Sequence, residues 1–564
     1  TYHHVLPDGD AMPGHEYGSA SRPTMSSSCS SNAAGTDPAG FLDKDFSSTE
    51  VTNMIKSLGD GKAAGHDGIP NEALKNAPVE LVRLLVILFN RVKNQGKAPG
   101  SWKEGRLVLI HKKGALTDVF NYRPLTVLQS VSALYTKLLN ARLSEVTEIH
   151  NLLGEIQNGF CKGRSGGDSA FILNTVLWKN TAQQKAVHLA FLDLLKAYDT
   201  VDRPTLWRKL AEMGIGGKFL RCLQSLYEGD YVKCQVGGLS TRPVFLGRGL
   251  RQGCSLSPLL FALYVAGMGQ DLSLQTQGVK LFRICVSALF FADDIVLIAR
   301  TAEGLRLLLR VVQQHCTDLK MNLSVTKCKV MSKSKDSFEV WQDNEVCGSL
   351  DKVLRFRYLG LECQLSPAKT VKAMRDRAIK IARSYKIACM RIARDGPDVV
   401  DTAVALWTGV ARPSLLYGCE IVPFTVGAFQ EIERQQSAMG KSALGLPRTA
   451  PNLSTEVLLG MKSVKQILYS SQLKFYLRIQ KQDNSRWSKD ALLDHLRGAW
   501  HSPYIKYIHE IKEEVGMVRG PVSSRHVDLV LNFHFLRRLN KKIFAINLPG
   551  LMQVSKLGAA NHVD

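Results

Sequence analysis

The chain lacks three things whose absence narrows what it can be. Its twelve cysteines include no paired CxxC spacing, and none follows Cys419. That scatter argues against a disulfide-framed module or a zinc knuckle and reads as reduced intracellular thiols. No apolar run approaches the roughly 20 residues that cross a bilayer. The best stretch, Leu81 to Phe89, is interrupted by Arg83, and no secretory signal is visible. Acidic residues are also in short supply: 50 Asp and Glu face 73 Lys and Arg, a formal charge of +23. Such a surplus points to a large polyanion, most simply nucleic acid, with an anionic membrane surface as the weaker alternative.

What is present is a long chain with ample apolar content. Its 564 residues, 45% hydrophobic, suggest three or four folding units. Residues 1–42 are rich in Gly, Ser, Pro and Ala and include Met25 to Ser31. They are expected to be disordered, because they bury too little to offset their ordering entropy. The start at Thr1 rather than Met suggests a fragment. Ser47 and Glu50 have capping-box spacing ahead of Val51, Met54, Ile55 and Leu58, which share one helical face.

The most demanding stretch runs from Ala288 to Leu297, where Asp293 and Asp294 lie between two apolar runs. This is the pattern of a buried hairpin with acids at its tip. Two unpaired carboxylates side by side cost several kcal/mol to bury, and divalent cations of a phosphoryl-transfer site would offset that cost. A tight Asp-Asp turn on a solvated hairpin fits the pair equally well when it is taken alone. A second apolar strand, Val187 to Leu192, ends in Asp193, followed five residues later by Tyr198. Asp193 alone would suit a helix N-cap, whereas at a strand end it could add a third carboxylate to a site.

Several loops add polar chemistry. Strand-like Arg106 to Ile110 leads to Lys112, Lys113 and then Asn121 Tyr122 Arg123 Pro124, which would suit triphosphate oxygens or simply a solvated basic loop. Residues Leu125 to Leu143 show helical spacing. Gln157 to Gly167 forms a polar, glycine-rich loop, and another helix starts at about Asp168. Arg251, Gln252 and Gly253 precede Ser257 and Pro258, a cap and first turn for an apolar helix. Lys327 could protonate a leaving pyrophosphate or lie in solvent.

These motifs, in this order, resemble the reverse transcriptases of non-LTR (LINE-type) retrotransposons, over residues 62 to about 363. Lys62 to Pro70 is similar to the extra N-terminal motif and Asn121 to Pro124 to the fingers motif. Asp193 to Asp199, Arg251 to Pro258 and Phe291 to Asp294 resemble motifs A, B and C. Lys327 and Phe356 to Gly360 resemble motifs D and E. The resemblance implies an α+β right-hand polymerase of fingers, palm and thumb with a mostly helical C-terminal region. It implies Asp193, Asp293 and Asp294 as catalytic carboxylates holding two Mg²⁺ ions, with Mn²⁺ as the substitute. By the same resemblance Lys327 is a general acid, while Lys112 or Lys113 and Arg123 hold the triphosphate. Tyr198 excludes a ribose 2′-hydroxyl, and Arg251, Gln252 and Gly253 contact nucleotide and template. Tyr198 stands where the family more often has Phe, and Leu194 and Leu195 where polar residues are frequent.

Beyond residue 363, Ser366 and Pro367 start a helix to about Arg394, with Val371, Met374, Ala378, Ile381, Tyr385, Ala388 and Ile392 as its packing face. Its other faces carry nine Lys or Arg and one acid between Lys369 and Arg394, a surface suited to a nucleic-acid backbone. The expected divisions are 1–42 disordered, 43–93 an N-terminal extension of the fingers, 94–363 fingers and palm, 364–460 thumb, and 461–564 a basic helical region. No endonuclease motif is evident. The expected activity is RNA-directed DNA polymerisation, using an RNA template, a DNA primer or target and dNTPs, without a membrane. Its expected setting is the nucleus and a cytoplasmic ribonucleoprotein. The alternatives are an RNA-dependent RNA polymerase, which Tyr198 disfavours, and a degenerate remnant that only binds RNA.

Overall fold

Local signals set the first helices. In the computed structural model, Asp37 caps α1 (Pro38–Leu42) by accepting from the amides of Ala39 and Gly40. Residues 37–42 therefore differ from the expected disordered segment: the cap and the full burial of Leu42 offset the entropy of ordering this turn. The structure describes residues 37–517 apart from 237, 238, 343, 344 and 397, together with 527, 528, 530–532 and 535. The expected disorder of residues 1–36 lies outside them, as does most of the expected basic helical region beyond residue 517. Ser47 and Glu50 form the predicted capping box at the start of α2 (Ser48–Lys56).

The chain then forms an antiparallel hairpin of β1 (Glu104–His111) and β2 (Tyr122–Val127). The helix predicted from Leu125 instead begins at Ser130, as α3 (Ser130–Ile149). Leu125, Thr126 and Val127 continue β2 because they pair with Val108, Leu107 and Arg106, and this ladder overrides their helical spacing. A second capping box, Ser165 with Asp168, starts α4 (Gly166–Ala182).

Next comes β3 (His188–Asp193), apolar from Leu189 to Leu192 without alternation, as a strand covered on both faces requires. β4 (Tyr231–Val236) returns to lie parallel to β1 and completes the first sheet with two short strands. Helix α5 (Ser257–Tyr264) starts one residue earlier than expected. Ser257 is its first residue rather than its cap, and its hydroxyl donates to the Arg251 carbonyl at 2.7 Å.

The second sheet is built from β3, β5 (Ala288–Phe291), β6 (Asp294–Ala299), β7 (Lys329–Met331) and β8 (Asp351–Lys352), in the order β8-β7-β3-β6-β5. Only β7 and β8 are parallel neighbours. Helix α6 (Ala302–Asp318) packs on β6 through Leu305, Leu308, Leu309 and Val312. A small hairpin, β9 (Phe356–Tyr358) and β10 (Leu361–Cys363), lies against this sheet, with the rings of Phe356 and Phe191 stacked at 4.2 Å. The architecture is thus α+β.

Helix α7 (Pro367–Arg394) follows and starts at Pro367 as expected, although Ser366 before it makes no side-chain hydrogen bond to the first turn. Its buried stripe is Val371, Met374, Ala378, Ala382, Cys389 and Ala393. Of the expected face, Ile381 and Tyr385 are only partly buried, Ala388 is exposed and Ile392 is 54% exposed. The small residues take the interface because α8 (Val426–Ala443) packs along α7, leaving the bulky ones at its margin. The last helices, α9 (Val464–Lys481), α10 (Trp487–Arg497) and α11 (Pro503–Glu514), fold back onto α4. Arg478 pairs with Asp168 at 2.6 Å, Lys179 with Asp494 at 2.7 Å, and the ring of Phe171 meets those of Phe475 and Tyr504. Among the described residues no helix is long and apolar enough to cross a membrane.

Candidate active site

Sheet register brings the distant acids together. β3 ends at Asp193 and β6 begins at Asp294, and the antiparallel ladder sets these two residues directly opposite each other. Directly opposed residues project from the same face, at Cα separations of about 4.5–5.5 Å. Asp293 occupies the turn beside them, after Ala292, whose φ of 60° lies in the left-handed region. The backbone of Asp193 is fixed on its other side, where its amide donates to Cys328 Sγ at 3.2 Å and its carbonyl accepts from the Ser324 amide at 2.9 Å.

The charge of Asp193 raises the proton affinity of both Asp293 and Asp294. Burial pushes Asp293 upward, and the negative charge of Asp193 adds to it, against a backbone hydrogen bond and the cations Arg123 and Lys327. Asp294 is pushed up to about 6, first by its crowded surroundings and then by Asp293 and Asp193. Its residue surface is nevertheless open to solvent, as befits a carboxylate on a cleft wall. Lys327 Nζ lies 2.9 Å from Asp193 Oδ2.

The neighbouring loops supply the rest of the wall. Tyr198 stacks on Phe261 at 5.1 Å and is half-buried, and burial followed by the charge of Asp293 raises its hydroxyl pKa. Gln252 Nε2 donates to Asp199 Oδ1 at 3.0 Å, and the Gln252 carbonyl accepts from the Thr126 amide at 2.6 Å, which ties this loop to β2. Gly253 has φ 110°, and a Cβ there would lie 2.6 Å from the Thr126 carbonyl oxygen, so only glycine lets the loop approach the strand. Arg123, opposite Ile110 on the hairpin, is near enough for its charge to act on Asp293. Lys112 and Lys113 are exposed at the hairpin's far end and are not among the charges that weigh most on the carboxylates.

Among the described residues, no three His, Cys, Asp or Glu side chains are already gathered in metal-holding geometry. The donor chemistry nonetheless suits hard divalent cations. Three carboxylates on adjacent strand ends repel one another, and the ammonium of Lys327 already answers one of them.

Comparison with known proteins matches residues 110–363 to the family described as reverse transcriptase (RNA-dependent DNA polymerase). Residues 110–363 form a reverse transcriptase domain of the non-LTR retrotransposon kind. The chain is 27% identical over 270 residues to the retrovirus-related Pol polyprotein of the type-1 element R2 of Nasonia vitripennis, covering 48% of this chain and 26% of that protein. It is 26% identical over 405 residues to the R2 polyprotein of Popillia japonica (69% and 54%). It is also 26% identical over 287 residues to the RNA-directed DNA polymerase from mobile element jockey of Drosophila melanogaster (50% and 31%). The chain thus spans from about a quarter to about half of these relatives. Among solved structures, the telomerase of Candida albicans, in complex with a fragment of telomeric RNA, aligns with 77% of this chain and 69% of its own, at 12% identity and a TM-score of 0.36.

Within this reverse transcriptase domain, one expected contact residue is misplaced. Arg251 was expected at the substrate, but it is 4% exposed and faces inward. Its Nε lies 3.0 Å from Asp230 Oδ2, and its other nitrogens donate to the carbonyls of Trp102 and Leu226. Arg203 shares the same carboxylate at 2.8 Å. A guanidinium whose fork is filled by buried acceptors cannot also bind a nucleotide, so Arg251 anchors the loop that carries Gln252.

A residue without an assigned role proves central. Gln157, 3% exposed, accepts through Oε1 from the amides of Gly159 at 2.8 Å and Ala292 at 3.0 Å. The amides of Asn158 and Phe290 add bonds to the Phe290 and Ile156 carbonyls, so this loop runs beside the acidic hairpin like an extra strand. Gly159 sits where a Cβ would strike the Ala292 amide. The only sequence signal was a polar, glycine-rich loop.

Proposed function

We propose that the chain is an RNA-directed DNA polymerase of a non-LTR retrotransposon, working as a right hand. In this reading residues 43–93 extend the fingers, 94–363 form fingers and palm, 364–460 the thumb, and 461–564 a basic helical region. The observation that carries it is the register opposing Asp294 to Asp193 beside Asp293. A primer 3′-hydroxyl gives up its proton and attacks the α-phosphorus of a dNTP paired with template RNA. One P–O bond forms, another breaks, and pyrophosphate leaves.

Asp193, Asp293 and Asp294 would hold two divalent cations, Mg²⁺ or Mn²⁺, which supply charge neutralisation at the attacking and leaving oxygens. Lys327, already beside Asp193, supplies a proton to the leaving pyrophosphate. Arg123, with Lys112 or Lys113, receives the triphosphate. The Tyr198 ring, fixed by Phe261, lies under the sugar and disfavours a 2′-hydroxyl. Gln252, held by Asp199, and the close-approaching Gly253 face nucleotide and template. The partners on this reading are template RNA and a DNA primer or target, met in the nucleus and in a cytoplasmic ribonucleoprotein. The charge of +23 supports polyanionic partners.

Primer extension by the purified chain on an RNA template, with dNTPs compared against NTPs, tests this. Asp193→Ala or Asp293→Ala should abolish extension and leave RNA binding nearly intact. Unchanged extension by either variant overturns the assignment. Preferential use of NTPs would indicate an RNA polymerase, and RNA binding without extension a remnant.

A further inference from the structure

A groove of about 830 Å³ between the far ends of α7 and α8 holds cations that the reaction does not use. Arg391 and Arg394 reach it from α7, and Arg448 from the loop after α8; no carboxylate lines it. None of these three arginines forms an ion pair among the described residues. The loop bearing Arg448 is fixed from within, because the nearly buried Lys441 donates to the Arg448 carbonyl at 3.2 Å and to Asn452 Oδ1 at 2.7 Å. Met390, Leu446 and Ile387 add apolar surface between these cations, Ile387 being 65% exposed.

The groove is remote from the carboxylates. The start of α7 is tied to β10 and the residues after it, with the Gln364 amide donating to Thr370 Oγ1 at 3.0 Å. The β9–β10 hairpin in turn stacks on Phe191, two residues before Asp193. At about 1.5 Å per residue, Ile387 lies about 30 Å along α7 from Pro367. At about 3.4 Å per nucleotide that is a span of roughly nine nucleotides.

We infer that this groove holds a single RNA strand outside the nucleotides being copied, with phosphates on the arginines and base faces on Ile387, Met390 and Leu446. The inference rests on the polymerase reading. Apolar side chains set among the arginines suit a single strand rather than a duplex, which turns phosphates and sugars outward and keeps its base faces stacked inside.

The test uses the full chain with Arg391→Gln, Arg394→Gln and Arg448→Gln combined. All three side chains are exposed, and thermal melting checks that the fold is kept. Three lost phosphate contacts should flatten the slope of log affinity against log salt for a long single-stranded RNA by about 2. The KM for long templates should rise roughly tenfold, as expected for a charge-dominated contact, while extension on a template too short to reach the groove stays unchanged. An unchanged slope and template KM, with extension intact, overturns the groove and leaves the polymerase reading standing. Equal losses on short and long templates overturn it too, by placing these arginines at the reaction itself. So does loss of binding to phosphatidylserine vesicles with RNA binding unaltered. If the parent chain extends no primer, the polymerase reading fails, while the salt slope still reports on the groove.

Discussion

Removing the Gln157 side chain should cripple catalysis from a position that touches no reactant. Gln157→Ala leaves the amides of Gly159 and Ala292 without their acceptor in a buried place, at about 1–3 kcal/mol each. The total, about 2–6 kcal/mol, falls on a turn whose Ala292 already carries about 1–2 kcal/mol of left-handed backbone strain. The turn would relax by moving Ala292, and Asp293 is the next residue. A displacement of about 1 Å at a reacting group costs about a hundredfold in rate. Single-turnover primer extension should therefore show kcat lowered about a hundredfold with little change in the KM for dNTP, alongside a lower melting temperature. Gln157→Glu separates geometry from charge. It keeps an acceptor for both amides, so the fold should hold, but its carboxylate beside the acidic hairpin should push Asp293 further upward and move the pH-rate profile to higher pH. A Gln157→Ala protein that melts earlier yet turns over at the parental rate would refute the bracing argument.

Two other predictions concern stability. Arg251→Ala should destabilise the fold by about 3–5 kcal/mol in urea titrations, because it strips a buried carboxylate of one partner. The folded protein should keep its KM for dNTP; a raised KM at unchanged stability would return Arg251 to the substrate. His495 lies among Phe171, Trp500 and Tyr504, bonded to Thr175 Oγ1 and Ser502 Oγ, and burial holds its pKa down to about 3 despite the adjacent Asp494. The unfolded chain takes up this proton below about pH 6.5, so stability should fall as pH drops from there toward 3, by about 1.4 kcal/mol per unit. His495→Gln should flatten that acid limb, and an unchanged limb in the variant would show that other groups govern it.

How much was legible in the sequence depended on whether a residue's demand is local. Two carboxylates between apolar runs declare a cost that must be met somewhere, so the hairpin and its acids could be read without a partner in view. Ser47 and Glu50 did the same for a helix start, since both halves of the capping box lie within one turn. Arg251 misled because a basic residue in a glycine-rich loop looks like a ligand contact; its acceptor, Asp230, lies in a stretch with no pattern of its own. Gln157 was unreadable for the same reason, its partner being 135 residues away. On α7 the three-and-four spacing holds at Val371, Met374 and Ala378 and fails beyond them, where the close approach of α8 buries Ala382, Cys389 and Ala393 instead of Ile381, Tyr385, Ala388 and Ile392.

The ion pairs that join α4 to the last helices impose an order on biogenesis. Asp168 is 1% exposed, and the guanidinium that answers it, on Arg478, is 310 residues further along the chain. A nascent polypeptide that has released only its central sheet therefore carries an acid it cannot bury without cost. Completion of that layer waits for α9 and α10 to leave the ribosome, so the layer around α4 should close in one step, well after the sheet is made, rather than growing with chain length.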